Sequence, residues 1–197
     1  MTPITTRDFL SRPTVEVARG LLGVQLVRRH ESGLILRAPI VEVEAYTEDD
    51  PACHAFRGET DRCRAMFGPP GHAYVYFIYG MYFCLNVVTE PKGKPGAVLI
   101  RAIGSENTNG PGKLCREWQI NRSHNGLDLL DMKNGELWLE PGTVYGDDEV
   151  VVTPRIGINV ATERMWRFFV KDHPSVSGGK ISTPRSKRSR LKRTAMS

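Results

Sequence analysis

The sequence predicts an α+β fold, a single domain with a mixed, curved, antiparallel-rich β-sheet and a few short helices. At 197 residues the chain is long enough for one domain with a full hydrophobic core. Most of its apolar segments are short runs with the alternating pattern typical of strands. Glycine and proline separate these runs, and the sequence contains no internal repeat.

The N-terminal third predicts a short helix followed by a β-hairpin. The segment Pro13–Leu22 has proline in its first turn and two glycines near its end, as helices commonly do. VQLVRR (24–29) and GLILRAPIVEVEAY (33–46) flank a polar turn and predict two paired strands. From 47 to 71 the chain is polar and rich in Gly and Pro, which predicts a long loop, and loops of this length are often functional.

The remainder predicts mainly strands. YVYFIYGMYFCLN (74–86) predicts an aromatic hairpin, and a type II′ turn with Gly80 at its first central position is expected to join its strands. GAVLIRAIG (96–104) predicts a buried strand, and GPGKLCREWQIN (110–121) predicts a helix that begins at Pro111. Three later runs, ELWLEPG, EVVVTPRIGIN and MWRFFVKD, predict further strands.

The composition is that of a soluble globular protein without a membrane span. Hydrophobic residues make up 40% of the chain, and no run approaches the ~20 apolar residues that a span requires. Because the N-terminus lacks the apolar core of a signal peptide, the expected location is the cytoplasm or nucleoid of a bacterium, or the nucleus of a eukaryote. The four cysteines form no C-x-x-C pair, so free thiols are expected, with no structural metal and no cofactor.

The net charge of +5 comes from the C-terminal tail. The tail carries seven basic residues and no acidic ones, which leaves 20 basic against 22 acidic residues in the rest of the chain. A nucleic-acid footprint on residues 1–178 must therefore be a local patch. Residues 179–197 are predicted to be a disordered basic tail. Three alternative roles fit this tail: a solubilising terminus, a segment that binds phosphates non-specifically, or a localisation signal.

The strand VEVEAY carries two acids beside a tyrosine. Alternation turns its small apolar side chains toward a core and places Glu42, Glu44 and Tyr46 on the opposite face, which in an edge strand is ordinarily solvated. However, Arg101 lies within the apolar run VLIRAI, and an unpaired buried charge would be costly. Arg101 therefore needs Glu42 or Glu44 as a partner. The pair is either a core ion pair that fixes sheet register or a carboxylate oriented to polarise a water molecule.

Five of the six tyrosines lie between Tyr46 and Tyr82. Aromatic faces beside a carboxylate suit a site for a flat ring such as a nucleobase. At the hairpin tip, Tyr79 and Met81 either form a wedge between base pairs or pack under the long loop. Asn86, among apolar neighbours, either satisfies backbone groups or contacts a base edge.

Together these segments resemble the alkyladenine (3-methyladenine) DNA glycosylase family, whose members remove damaged purines from DNA. The motifs that carry the resemblance are IVEVEAY (40–46), HAFRGETDR (54–62), MFGPPGHAYVYFIYGMYFCLN (66–86), VLIRA (98–102), GPGKLCREWQIN (110–121) and RIGI (155–158). The resemblance implies that residues 1–178 form a catalytic domain, expected to be a monomer, that acts on double-stranded DNA containing damaged purines.

The resemblance also implies a role for individual residues. Glu44 is the expected general base, while Arg101 and the backbone carbonyl of Ile158 position the water molecule. The residues expected to line the pocket of the flipped base are Tyr46, His54, Tyr76 and Asn86. Those expected to enter the duplex are Tyr79 and Met81. Those on segments that touch DNA are Thr60, Arg62, Met66 and Lys113. The loop before His54 is one residue shorter than in mammalian members, and taken alone His54 could be an ordinary loop histidine.

The function that the resemblance implies is that of a monofunctional glycosylase. It would flip an alkylated or deaminated purine out of the duplex and hydrolyse the N-glycosidic bond with a water molecule activated by Glu44. Electron-rich Tyr46 and Tyr76 would favour cationic bases, and the absence of a lysine nucleophile implies no strand cleavage.

Two other hypotheses fit parts of the sequence. The first is a non-catalytic nucleic-acid-binding protein that stacks bases on its tyrosines. The second is a hydrolase of free nucleosides or sugars that uses Glu42 and Glu44 as a pair. The second fits less well, because both acids would face the same side of the substrate.

Overall fold

The computed structural model describes residues 5–178, and the predicted basic tail at 179–197 lies outside the described residues. Within 5–178 the chain forms three short α-helices and eight strands. It also forms four 3₁₀ turns, Arg64–Phe67, Arg122–His124, Met132–Asn134 and Asp147–Glu149. The predicted α+β class is confirmed, since the strands form one curled antiparallel sheet within a single domain.

The three helices are α1 (Arg7–Leu10), α2 (Thr14–Gly20) and α3 (Pro111–Glu117). The positions predicted for α2 and α3 are confirmed. Helix α3 packs closely on the aromatic hairpin, because a Cβ added to Gly112 would lie 2.9 Å from Cγ of Tyr82. Position 112 therefore requires glycine. None of the helices within 5–178 is long and apolar enough to cross a bilayer.

The eight strands are β1 (Gln25–Arg29), β2 (Ile35–Thr47), β3 (Ala73–Ile78), β4 (Tyr82–Val88), β5 (Gly96–Ile103), β6 (Leu137–Glu140), β7 (Val150–Thr153) and β8 (Arg167–Val170). The sheet order is β3-β4-β5-β2-β1-β6, with β8 paired to β2 and β7 paired to β8. Strand β2 has 13 residues and pairs with β1 along its first half and with β5 and β8 along its second. Each predicted strand is present, but EVVVTPRIGIN forms a strand only over Val150–Thr153, so its RIGI part lies outside the sheet.

The strand register places residues of the expected site in one row. Tyr74 of β3 lies opposite Asn86 of β4, and Asn86 lies opposite Leu99 of β5. Leu99 in turn lies opposite Glu44 of β2. Because directly opposed residues of antiparallel strands point to the same face, Tyr74, Asn86 and Glu44 share one face of the sheet.

A β-bulge in strand β5 contains Arg101. Glu42 pairs with Ala102, and the next residue of β2, Val43, pairs with Ile100. Arg101 is therefore the extra residue on β5. Bulges bend a strand locally and redirect a side chain, which explains how an arginine within an apolar run reaches the acids of β2.

Two hydrophobic clusters organise the sheet. The larger cluster joins the helices to the strands and includes the fully buried Val43, Ile100 and Leu114. The smaller cluster includes Cys53, Cys63, Met66 and Tyr74, and Tyr46 and Tyr76 pack against it. It fixes the long loop predicted at 47–71 against β3, β4 and β5. All four cysteines are buried and free, as expected.

The turn of the aromatic hairpin differs from the prediction. Tyr79 and Gly80 both have positive φ values, 54° and 70°, and the Met81 N–H donates to the Ile78 carbonyl at 3.3 Å. Tyr79 and Gly80 are therefore the two central residues, as in a type I′ turn. The predicted type II′ turn, with Gly80 first, was wrong because a lone glycine fits either central position. Positive φ is unfavourable for tyrosine, so the hairpin holds Tyr79 in a conformation that an isolated peptide would seldom adopt.

Candidate active site

A half-open cavity of about 150 Å³ lies beside the smaller cluster. The residues around it include Tyr46, His54, Met66, Tyr74, Tyr76, Asn86, Gly157 and Ile158. Engineered cavities of about this volume bind a benzene ring, so the space admits a flat aromatic ligand. The structure thus brings together the four residues predicted to surround a base, and Ile158 lies with them.

One wall of the cavity consists of a histidine and two tyrosines. His54 Nδ1 lies 2.8 Å from the Tyr74 hydroxyl, and the His54 ring meets the Tyr76 ring edge-on at 4.5 Å. Partial burial beside the half-open cavity, and to a lesser extent the positive charge of Arg62, lowers the pKa of His54 to about 4. His54 is therefore neutral at pH 7. It can hydrogen-bond to a base edge, but it carries no acidic proton for a leaving purine.

Asn86 is fixed by the backbone while it lines the cavity. Its side chain is buried, and Nδ2 donates to the Tyr74 carbonyl at 3.0 Å. The first of the two predicted roles, satisfying a backbone group, is therefore present. The same bond holds the amide in place beside the cavity.

Glu44 adjoins the cavity through Tyr46, a lining residue whose hydroxyl is bonded to the Glu44 carboxylate. The Glu44 side chain is fully buried, which excludes a solvated face. Oε2 accepts hydrogen bonds from the Tyr46 hydroxyl at 2.9 Å and from Arg101 Nη1 at 3.2 Å. Oε1 accepts one from the Ile156 N–H at 2.8 Å. A carboxylate has about four acceptor positions, so these three donors leave one for a water molecule.

Arg101 contacts both acids of β2 rather than one of them. Its Nε donates to Glu42 Oε1 at 3.0 Å, while Nη1 reaches Glu44. Glu42 is also fully buried and accepts a bond from Arg167 Nε at 2.7 Å. Two carboxylates and two guanidinium groups therefore balance in charge, as buried ion pairs require.

Asp50 and Arg155 form a completely buried ion pair that no sequence pattern predicted. Arg155 Nη2 donates to Asp50 Oδ1 at 2.9 Å, Nη1 donates to Oδ2, and Nη1 also donates to the Ala45 carbonyl at 2.9 Å. The guanidinium lies 4.6 Å from the ring centre of Tyr46. The pair thus ties the start of the long loop to β2 behind a wall of the cavity. The motif RIGI contained Arg155, but nothing local indicated its partner.

Comparison with known proteins identifies the family. A model of the methylpurine-DNA glycosylase family matches residues 8–174. The chain belongs to the methylpurine-DNA glycosylase family. It is therefore a DNA glycosylase, an enzyme of DNA repair with DNA as its substrate.

Individual relatives agree with this family. A protein of Methanocella arvoryzae is 49% identical over 89% of this chain and 96% of its own length. One from Synechococcus sp. (strain JA-3-3Ab) is 46% identical over 86% of this chain and 97% of its own. One from Wolbachia sp. subsp. Brugia malayi is 50% identical over 84% of this chain and 96% of its own. All three are named provisionally as 3-methyladenine DNA glycosylases.

The tip of the aromatic hairpin projects from this glycosylase into solvent. Tyr79 is 77% exposed and Met81 is 64% exposed. This exposure excludes the alternative in which the tip packs under the long loop. The neighbouring Ile78 lines the cavity, so the exposed tip and the cavity adjoin along the chain.

The four residues expected to touch DNA differ in their surroundings. Thr60, Arg62 and Lys113 are exposed, and Lys113 Nζ donates to Asn109 Oδ1 at 3.0 Å. Met66 is only 2% exposed and lines the cavity within the smaller cluster. Its side chain therefore has no access to a DNA backbone on the outside. Met66 is therefore part of the cavity lining and not of the outer surface.

Proposed function

We propose that this DNA glycosylase flips a damaged purine out of duplex DNA and hydrolyses its N-glycosidic bond without cleaving the strand. The observation that carries the proposal is the position of Glu44, buried and bonded to the hydroxyl of Tyr46, whose ring lines the cavity. The provisional names of the relatives, which refer to 3-methyladenine, support alkylated purines as substrates. Deaminated purines are a second proposed substrate class.

In the proposed reaction Glu44 accepts a proton from a water molecule that attacks C1′ of the deoxyribose. The bond between C1′ and the purine nitrogen breaks, and its electron pair leaves with the base. Arg101 and the carbonyl of Ile158 are proposed to hold the water. A cationic alkylated purine leaves as a neutral base and needs no acid. This suits a cavity in which His54 is neutral.

The exposed hairpin tip is proposed to fill the gap that the flipped nucleotide leaves. Flipping costs a few kcal/mol of stacking and pairing, which insertion of an apolar side chain offsets. Tyr79 suits this role because the turn already fixes its backbone, so the backbone needs little further ordering when the side chain is inserted. Met81 would lie beside it.

Further proposals concern the organisation of the chain. Among residues 5–178, none of those that line the cavity is a lysine, which supports a monofunctional reaction. We propose that residues 1–178 form the catalytic domain, that residues 179–197 are a separate basic segment, and that the protein acts as a monomer. Thr60, Arg62 and Lys113 are proposed DNA contacts.

The proposed reaction is tested with a labelled duplex that carries one methylated purine. We expect release of the free base and an abasic site that breaks only after alkaline treatment, while an undamaged duplex stays intact. Binding without any abasic site would support the non-catalytic alternative instead. Strand breaks without alkali would contradict a monofunctional reaction, and faster hydrolysis of free nucleosides would contradict a duplex substrate.

Selectivity between cationic and neutral bases is expected to depend on Arg62. Both tyrosines proposed to attract a cationic base already face an arginine, Arg155 at Tyr46 and Arg62 at Tyr76. Asp50 neutralises Arg155, whereas Arg62 has no ion-pair partner among residues 5–178. The charge of Arg62 lies 5.6 Å from the Tyr76 ring centre and should weaken the attraction of that ring for a cationic base.

We therefore expect Arg62→Gln to raise the ratio of methylated-purine release to hypoxanthine release by about threefold, the scale of one exposed cation–π contact. Arg62→Lys retains the charge and should keep the wild-type ratio. Single-turnover rates for both lesions in one duplex sequence measure this ratio. An equal loss for both lesions would assign Arg62 to DNA contact alone.

A further inference from the structure

All three nitrogen atoms of Arg101 have a side-chain partner. Nη1 donates to Glu44 Oε2 at 3.2 Å, Nε donates to Glu42 Oε1 at 3.0 Å, and Nη2 donates to Ser177 Oγ at 3.1 Å. A guanidinium group is rigid and planar, so fixing Nε and Nη2 also fixes the direction of Nη1. Glu42 and Ser177 therefore determine where Arg101 points at Glu44.

Glu42 and Ser177 are in turn fixed to each other. The Ser177 N–H donates to Glu42 Oε2 at 2.5 Å, and its hydroxyl lies 2.9 Å from Glu42 Oε1. Arg167 closes the cluster, because Nε donates to Glu42 at 2.7 Å and Nη2 donates to the Ser177 carbonyl at 3.0 Å. Glu42 is fully buried and Ser177 is 4% exposed. The acid and the serine of the cluster are thus shielded from solvent.

Stability alone does not account for this cluster. A buried ion pair is commonly no more stabilising than well-packed apolar residues of the same volume. The β-bulge supports the same conclusion. It directs Arg101 toward the acids of β2, although it interrupts the regular pairing of β2 with β5. Both features are explained if the direction of the arginine matters for the reaction.

We propose that Glu42 and Ser177 are positioning residues, which orient Arg101 so that Nη1 faces Glu44 and the attacking water molecule. The inference rests on the proposed function, in which Glu44 activates that water. With this positioning role, the rate of base release depends on the segment around Ser177, which lies 135 residues from Glu42 along the chain. Neither residue lines the cavity.

The first test is Ser177→Ala in the full chain. This variant removes the hydroxyl but keeps the backbone bonds of residue 177 to Glu42 and Arg167. The single-turnover rate at saturating enzyme should fall by about fivefold, the usual effect of one hydrogen bond. The enzyme concentration at half-maximal rate should stay at the wild-type value, and the melting temperature should fall by no more than a few degrees, which is what one buried hydrogen bond contributes in a domain of this size. An unchanged rate would overturn the proposal.

The second test asks whether Ser177 acts through Arg101. Lysine lacks the planar guanidinium group that Ser177 is proposed to orient. In an Arg101→Lys background, Ser177→Ala should therefore lower the rate by less than about twofold, because the effects of coupled residues are not additive. The same fivefold loss in both backgrounds would show a purely structural effect and overturn the proposal.

Glu42→Gln should lower the rate more than Ser177→Ala, provided that circular dichroism shows it folded.

Glu44→Gln, assayed in parallel, separates failure of this inference from failure of the proposed function. If Glu44→Gln retains the wild-type rate, the proposed function fails, and the positioning role fails with it. If Glu44→Gln loses its activity while Ser177→Ala keeps the wild-type rate, only the positioning role fails.

Discussion

Replacing Glu44 with glutamine is expected to lower the single-turnover rate of base release by a factor of about 10² or more. The amide has nearly the same shape as the carboxylate, but it cannot accept a proton from the attacking water molecule. The hairpin tip and the cavity-lining side chains are unaltered, so affinity for a damaged duplex should be retained. Release of a methylated purine from a labelled duplex measures the rate, and fluorescence anisotropy measures the affinity.

Glu117→Gln is a matched control for this experiment, because Glu117 is an exposed acid at the end of α3. Its rate and affinity should equal those of the wild type. Glu44→Asp keeps the charge but withdraws the carboxylate by one methylene, so its rate should lie between those of the wild type and Glu44→Gln. Near wild-type release by Glu44→Gln would contradict the role of general base.

Local sequence patterns predicted those parts of the site that depend on neighbouring residues. Alternation in VEVEAY placed Glu44 and Tyr46 on one face, and their side chains are bonded at 2.9 Å. The position of the charged Arg101 within an apolar run predicted an acidic partner, and Glu42 and Glu44 are both partners. These predictions succeeded because a two-residue period and a buried charge each leave few structural solutions.

The remaining features depend on contacts that leave no local pattern. Asp50 and Arg155 are 105 residues apart, and neither stands out among the charged residues around it. The bulge at Arg101 depends on how β2 and β5 pair, which alternation within either strand does not determine. The turn at Tyr79 was mispredicted for a similar reason, since glycine is compatible with both central positions. Long-range packing decides between such equivalent local alternatives.

The largest expected effect on stability is that of Asp50→Ala. Both members of the Asp50–Arg155 pair are completely buried, so removing one leaves a buried charge without a partner. Such changes cost about 3–5 kcal/mol, which for a domain of this size lowers the melting temperature by more than about 6 °C. Thermal and urea unfolding, followed by circular dichroism, measure this loss.

The adjacent Asp49 provides the control, because its side chain is 74% exposed and pairs with Arg164 at the surface. Asp49→Ala should cost less than about 1 kcal/mol. Equal melting temperatures for the two variants would show that the buried pair does not secure the loop. The double variant Asp50→Ala/Arg155→Met should be more stable than Asp50→Ala alone, since it no longer buries an unpaired charge. Because Arg155 also packs on Tyr46, the double variant should still release bases more slowly than the wild type at temperatures where both are folded.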